Sequence, residues 1–205
     1  MVSEVALPLG KYSEVGFLDD DYPSRRSHAG LNILGNLTAI GSVIDPWHVF
    51  FVAIGDNPAR KRFFEALNHE GAEIDQLRSV HSVVSPASVI ERGTLIMPGV
   101  VINAGARIGE NVIINTGAIV EHDCRVGEHT HLAPGSILAG AASIGCLTTI
   151  GAGAVVCPGV RVSDNVILGA GAIATRDLDA PGYYYGAPAK WRKHPLLSAS
   201  SHQGA

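Results

Sequence analysis

The sequence predicts a mainly β protein: a three-sided parallel β-helix of about five coils, with a small α/β domain ahead of it and a short tail behind. Three observations carry that prediction. An Ile, Val or Leu recurs at every sixth position from Val84 to Leu168 without a slip of register. A small or β-branched residue stands two places before each of them. A residue that tolerates a left-handed backbone stands three places after most of them.

The aliphatic series reads Val84, Ile90, Ile96, Ile102, Ile108, Ile114, Val120, Val126, Leu132, Leu138, Ile144, Ile150, Val156, Val162 and Leu168. A period of six is a multiple of two and not of 3.6, so it is strand chemistry. Each unit supplies one small and one large inward residue, with one outward residue between them, on a three-residue strand. The remaining three residues must turn. Twelve of the fifteen positions three after an aliphatic are Gly, Asn, Asp or His, the types that best accept positive φ. Pro98-Gly99, Pro134-Gly135 and Pro158-Gly159 suit type II turns at these corners. Residues 79–175 form this domain, and residues 176–205 form a tail that is expected to be disordered from Leu196 onward.

Outward residues 18 apart stack on one wall. The first wall carries Val83, Val101, Ile119, Ile137 and Val155; the second carries Val89, Arg107, Arg125, Ser143 and Arg161. The third carries Leu95, Ile113, His131, Thr149 and Ile167. A continuous exposed aliphatic stripe is a liability on a monomer. The expectation is therefore a closed ring in which the first wall of one subunit meets the third wall of the next; the alternative is that the N-terminal domain covers the stripe.

Residues 1–78 lack the six-residue period. Phe50 to Asn57 reads as a buried strand running into a turn. Pro58 to Gly71 reads as a helix capped by Asn57, with Phe63, Phe64 and Leu67 on one face. Val15-Gly16-Phe17-Leu18 reads as a second strand, ending in Asp19, Asp20 and Asp21. Strands alternating with helices imply a small parallel α/β domain.

Composition narrows the function classes. A net charge of −4 gives no electrostatic reason to expect nucleic acid. No apolar run approaches the roughly 18 residues of a membrane span, and the stretch from Met1 to Gly10, with Glu4 and no Lys or Arg, reads as too short for a signal peptide. Cys124, Cys146 and Cys157 form no CxxC pair, so no disulfide framework is indicated and a reduced, cytoplasmic setting is expected.

Candidate chemistry sits in Glu121-His122-Asp123-Cys124, where His122 and Asp123 replace the Pro-Gly corner of other coils. A corner Asp is acceptable for conformational reasons alone, and a lone corner His is more often solvated than functional. His131, outward on a wall expected to be buried, brings a second imidazole that the neighbouring subunit could place against the first. A metal site is not expected: His122, His129 and His131 lie seven and two residues apart, the wrong intervals for the metal-binding relatives of this repeat.

The hexapeptide repeat resembles that of bacterial acyltransferases built as left-handed parallel β-helices. The run Asn115-Thr116-Gly117, Val120-Glu121-His122-Asp123-Cys124 and His131-Leu132-Ala133-Pro134-Gly135 resembles bacterial nucleotide-sugar N-acetyltransferases of that superfamily. These act on the 4-amino group of a UDP- or GDP-linked amino sugar, with acetyl-CoA as co-substrate and no metal. The resemblance implies a homotrimer with active sites between subunits, His122 as general base and Asp123 orienting it. It places Asn115 at the acceptor and His131 at acetyl-CoA. Gly140 is expected to offer an oxyanion amide, Gly151 and Gly169 to leave room for the pantetheine arm, and the Gly186-Ala187-Pro188-Ala189-Lys190 ending to close over the cofactor. The N-terminal part resembles that family's Rossmann-like nucleotide-binding domain, with Asp19 and Asp20 near the base or ribose. Against the family it is N-terminally incomplete, lacking the first strand and its Gly-rich phosphate turn. Two other readings stay open at this level: O-acetylation of a sialic acid or other sugar hydroxyl, and an inactive β-helix acting as a scaffold subunit.

Overall fold

The computed structural model describes residues 2–44 and 47–193; the expectation for residues 196–205 falls outside them. The predicted left-handed coils are present as three parallel sheets. One sheet joins the strands Val83–Val84, Val101–Ile102, Ile119–Val120, Ile137–Leu138, Val155–Val156 and Ile173–Ala174. A second runs from Val89–Ile90 to Arg161–Val162, and the third from Leu77–Arg78 to Val166–Leu168. Every rung pairs a residue with the one 18 places on, as Ile119 with Ile137. The coil strands hold two residues where three were expected, except Val166–Leu168, which holds three.

Burial follows the inward pattern. Ile102, Val120, Leu138, Ile150 and Leu168 are almost fully enclosed, and so are their small companions Ala106, Ala118, Ala142 and Ala154. Where the small position is Thr, the hydroxyl needs a partner. Thr130 Oγ1 donates to Gly145 O at 2.8 Å and Thr148 Oγ1 to Ser163 O at 2.9 Å, one coil apart. The corners behave as a set: each position three after an aliphatic, from Gly93 to Gly171, has positive φ, including Ala141 (58°) and Leu147 (55°). A prism this narrow has no slack for a missing side chain. Leu138→Ala is expected to lower unfolding stability by about 3 kcal/mol, read from the urea midpoint; a loss under 1 kcal/mol would show that the coils collapse to fill the hole.

The three walls differ in what covers them. On the first, Val83 is 67% exposed and Val101, Ile119, Ile137 and Val155 stay half-buried. On the second, Arg107, Arg125 and Arg161 are exposed, and Arg161 makes a charged pair with Asp177 at 2.8 Å. The third wall is sealed by its own chain at the early coils, leaving Leu95 and Ile113 buried. That corrects the expectation of a neighbour's first wall there. Helix α1 (Val2–Ala6) packs Val5 and Ala6 into one core with Leu77, Leu95 and Met97.

The N-terminal unit contains two further helices, α2 (Ile40–Val43) and α3 (Asn57–His69). Phe17–Leu18 runs parallel to Leu31–Gly35 as expected, but Ser27–His28 returns antiparallel. The turn Ala29-Gly30, with φ of 50° and 79°, has the left-handed pair that a two-residue hairpin requires. The predicted strand from Phe50 to Asn57 makes a ladder only at Val49–Phe50, against Glu73–Ile74; the next residues lie along the third wall instead. Asp56, not Asn57, caps α3, its carboxylate accepting from Ala59 N at 2.9 Å. Asn57 is drawn away by the β-helix, donating to Thr148 O and Thr149 Oγ1 at 3.1 Å each.

Candidate active site

The corner after the first wall presents His122 and Asp123 side by side. Asp123 takes the left-handed position of the corner, with φ of 61°, and its carboxylate lies over Gly105, one coil earlier. His122 lies over Gly140, one coil later: a Cβ at Gly140 would stand 2.6 Å from Nε2. The two glycines thus make room for the two side chains. His122 Nδ1 is 3.0 Å from Asp123 Oδ2. A carboxylate accepts only, so this contact places a proton on Nδ1, and in the neutral ring the lone pair falls on Nε2. Both side chains are well exposed, at 63% and 68%.

Glu121 is held by Asn103 Nδ2 at 2.9 Å. Cys124 turns inward, fully buried, its Sγ 3.2 Å from Ala139 O, and burial pushes its thiol up. A thiol enclosed in that way is no nucleophile. Asp123→Asn tolerates the same backbone but loses the carboxylate that selects the tautomer. Turnover is expected to fall about 10–100-fold, less than the ~10⁴ known for a buried triad aspartate, because water screens an exposed pair. Steady-state kinetics check it, and an unchanged kcat would free Asp123 of that role.

The second pair lies on the third wall. Asn115 Nδ2 donates to His131 Nε2 at 3.2 Å, and Asn115 Oδ1 accepts from Thr116 N at 2.8 Å. His131 is held well below the usual imidazole range, at about 4, first by burial, then by the charge of Arg60, with a Gly55 backbone hydrogen bond opposing. The ring therefore stays neutral at physiological pH. It faces a small cavity of about 80 Å³ whose other walls include Val2, Ala53, Gly55, Leu95 and Ile113. The chain itself pairs His122 with Asp123 and His131 with Asn115, on different walls.

The remaining predicted residues are placed as follows. The room expected over two glycines is filled from within the chain, over Gly169 by the Tyr185 ring and over Gly151 by backbone, with Gly169 C 2.6 Å from where a Cβ would be; Gly140, expected to offer an oxyanion amide, lies under His122. Lys190 is exposed at the start of the strand Lys190–Arg192, which pairs antiparallel with Gly182–Tyr185 at the end of the third-wall sheet. Asp19 Oδ1 accepts from Asp21 N at 3.0 Å, bracing the turn after its strand, and Asp20 Oδ1 accepts from Leu37 N at 3.4 Å, tying that turn to the chain after Leu31–Gly35. Among the described residues no His, Cys, Asp and Glu group is arranged to hold a metal ion, and no helix is long and apolar enough to cross a membrane. Sequence reasoning missed Arg60. Its signal was there, because Asn57, Arg60, Phe64 and Leu67 form one helix face.

Known proteins share this fold. The PglD N-terminal domain family matches residues 1–67, and the bacterial transferase hexapeptide family matches residues 87–121 and 105–140. The acetyltransferase domain of PglB from Neisseria gonorrhoeae is 33% identical, with 93% of each chain covered and a TM-score of 0.90; it has also been solved with acetyl coenzyme A. PerB of Caulobacter crescentus, in complex with CoA and GDP-perosamine, is 36% identical over 94% of this chain and 91% of its own, with a TM-score of 0.88. WeeI from Acinetobacter baumannii shares the fold at 23% identity, with 93% of each chain covered and a TM-score of 0.86. The coils and these matches therefore define an acyltransferase of the hexapeptide class. Within that class, the chain belongs to the nucleotide-amino-sugar N-acetyltransferases that carry a PglD N-terminal domain.

Proposed function

We propose that the protein transfers the acetyl group of acetyl-CoA to the 4-amino group of a nucleotide-linked amino sugar, and that it works as a homotrimer. The observation that carries the reading is the His122–Asp123 pair, with Nδ1 committed to the carboxylate and Nε2 left basic. The amine nitrogen attacks the thioester carbonyl, and His122 Nε2 takes the proton the amine must lose. The tetrahedral oxyanion is stabilised by a backbone amide at Gly140. Its collapse breaks the C–S bond, and the CoA thiolate leaves with the proton returned from His122. No acyl-enzyme forms.

Other roles follow by analogy and position. His131 lines the acetyl-CoA site, and its neutral ring suits contact with an uncharged thioester. Asn115 lies at the acceptor. Gly151, Gly169 and Lys190 border the path of the cofactor arm and tail, with Gly169 acting through Tyr185. Asp19 and Asp20 face the nucleotide. Trimerisation is supported by the first wall, an aliphatic row that the described residues leave exposed at Val83 and only half-buried at Val101, Ile119, Ile137 and Val155. PerB has been solved with CoA and GDP-perosamine together, and also with one histidine replaced by Asn or Ala, which is in keeping with a histidine of interest in this fold.

The test is acetyl-CoA with a panel of GDP- and UDP-linked 4-amino sugars, alongside free sialic acid and neutral sugars, with products read by mass spectrometry. An N-acetylated nucleotide sugar is expected. Acetyl esters alone would replace this reading with O-acetylation, and no calorimetric binding of CoA would leave only a scaffold.

A further inference from the structure

Away from the His122 corner, α3 carries Arg60, a fully buried guanidinium that forms no ion pair with a carboxylate among the described residues. All of its nitrogens are engaged, and almost entirely by backbone carbonyls. Nε donates to Asn111 O at 3.0 Å; Nη1 donates to Ile54 O at 3.0 Å and Gly55 O at 3.2 Å. Nη2 donates to His129 O at 2.6 Å, Asn57 Oδ1 at 2.8 Å and Thr130 O at 3.3 Å. These acceptors belong to two bodies of the fold. Ile54 and Gly55 are the loop before α3; Asn111, His129 and Thr130 are successive coils of the corner that leads into the third wall.

An apolar side chain would join helix to coil without the desolvation cost of a buried cation. A guanidinium does something an apolar group cannot: its planar fork sets the spacing and angle between carbonyls of two separate segments. Those segments are the ones that flank His131. Thr130 precedes it in the chain, and Gly55 faces its ring across the small cavity that Asn115 also lines. We infer that Arg60 is a positioning residue for acetyl transfer, clamping the Ile54–Gly55 loop to the His129–Thr130 backbone so that the His131 ring is held between Gly55 and Asn115. This rests on the reading above that His131 lines the acetyl-CoA site.

The charge environment agrees with the geometry. The groups around the ring are Ile113 and Asn115 on the coil before, Thr149 on the coil after, and Ala53, Gly55 and Val2 from the N-terminal unit. None of these carries a charge. Arg60 is the cation whose field reaches the ring, and Asp56 at the cap of α3 bears on Arg60 in turn. His129, two residues before, is itself held toward the neutral form by burial. Arg60 thus orients the second imidazole, and its charge adds to the burial that holds the ring neutral.

The experiment uses the full chain with Arg60→Met, and with Arg60→Lys, which keeps the charge but has too few donors for six acceptors. Histidine-selective NMR follows the His131 ring, assigned with His131→Gln, while steady-state kinetics give KM for acetyl-CoA and for the amino sugar separately. In Arg60→Met the His131 titration is expected to move up by about one pH unit. In both variants KM for acetyl-CoA is expected to rise about tenfold, with KM for the amino sugar within twofold. If Arg60→Met does not fold, the Arg60→Lys kinetics and titration decide. A folded variant with both the titration and the acetyl-CoA KM of the parent overturns the inference. A moved titration with an unchanged acetyl-CoA KM would leave Arg60 acting on His131 through its charge alone and would overturn its positioning role in acetyl transfer.

Discussion

Replacing His122 with Ala is expected to lower kcat about 10²–10⁴-fold, the range that a positioned general base contributes, while KM for acetyl-CoA changes little. The side chain is exposed and makes no part of the core, so unfolding temperature and assembly should match the parent. Gly140→Ala reaches the same group from the other side. Its new methyl would stand 2.6 Å from His122 Nε2, so the ring must swing off the corner and its contact with Asp123 is lost. The two variants should therefore fall together, and the double variant should be no worse than His122→Ala alone. Turnover near that of the parent in His122→Ala would end the direct-transfer mechanism.

The first wall carries the other large effect. Ile137 sits midway along the aliphatic row, half-buried within the chain. Ile137→Arg would place an unpaired cation in the surface proposed to join subunits, where desolvation costs several kcal/mol. Light scattering should show a trimer for the parent and a monomer for the variant. Acetyl transfer should fall by at least about two orders of magnitude, since the site is proposed to need two subunits. Ser143→Arg on the second wall, already lined by Arg125 and Arg161, should leave both assembly and turnover unchanged. A trimeric, active Ile137→Arg protein would show that the first wall is not the interface.

Part of the site was legible because it interrupts a strict pattern. His122 and Asp123 stand where the repeat asks for Pro and Gly, and a break in a regular series can be seen without coordinates. The contact between them was legible for the same reason, as neighbours at one corner. The glycines were not. Gly140 and Gly169 look like any corner glycine in the sequence, and only stacking at 18-residue offsets shows that His122 and Tyr185 fill the space above them. Arg60 was missed because a buried cation on an amphipathic helix reads as an exposed one until the β-helix carbonyls of Asn111, His129 and Thr130, 51 to 70 residues away, are brought to it.

The coil itself is a property of the sequence alone. A period of six over ninety residues specifies which side chains point inward, where each strand ends and how the coils register, since a slip by one would turn every aliphatic residue outward. That determination is strong enough to impose left-handed backbone on Ala141 and Leu147, which have no preference for it. What covers the outer walls was decided only in three dimensions. The third wall is closed by α1 and the Gly55 loop, Asn57 gives up the helix cap to bond Thr148, and Arg60 ties the two units together. Local periodicity dictates the strand, but the partner of an outward face comes from distant chain, and no repeat in the sequence encodes it.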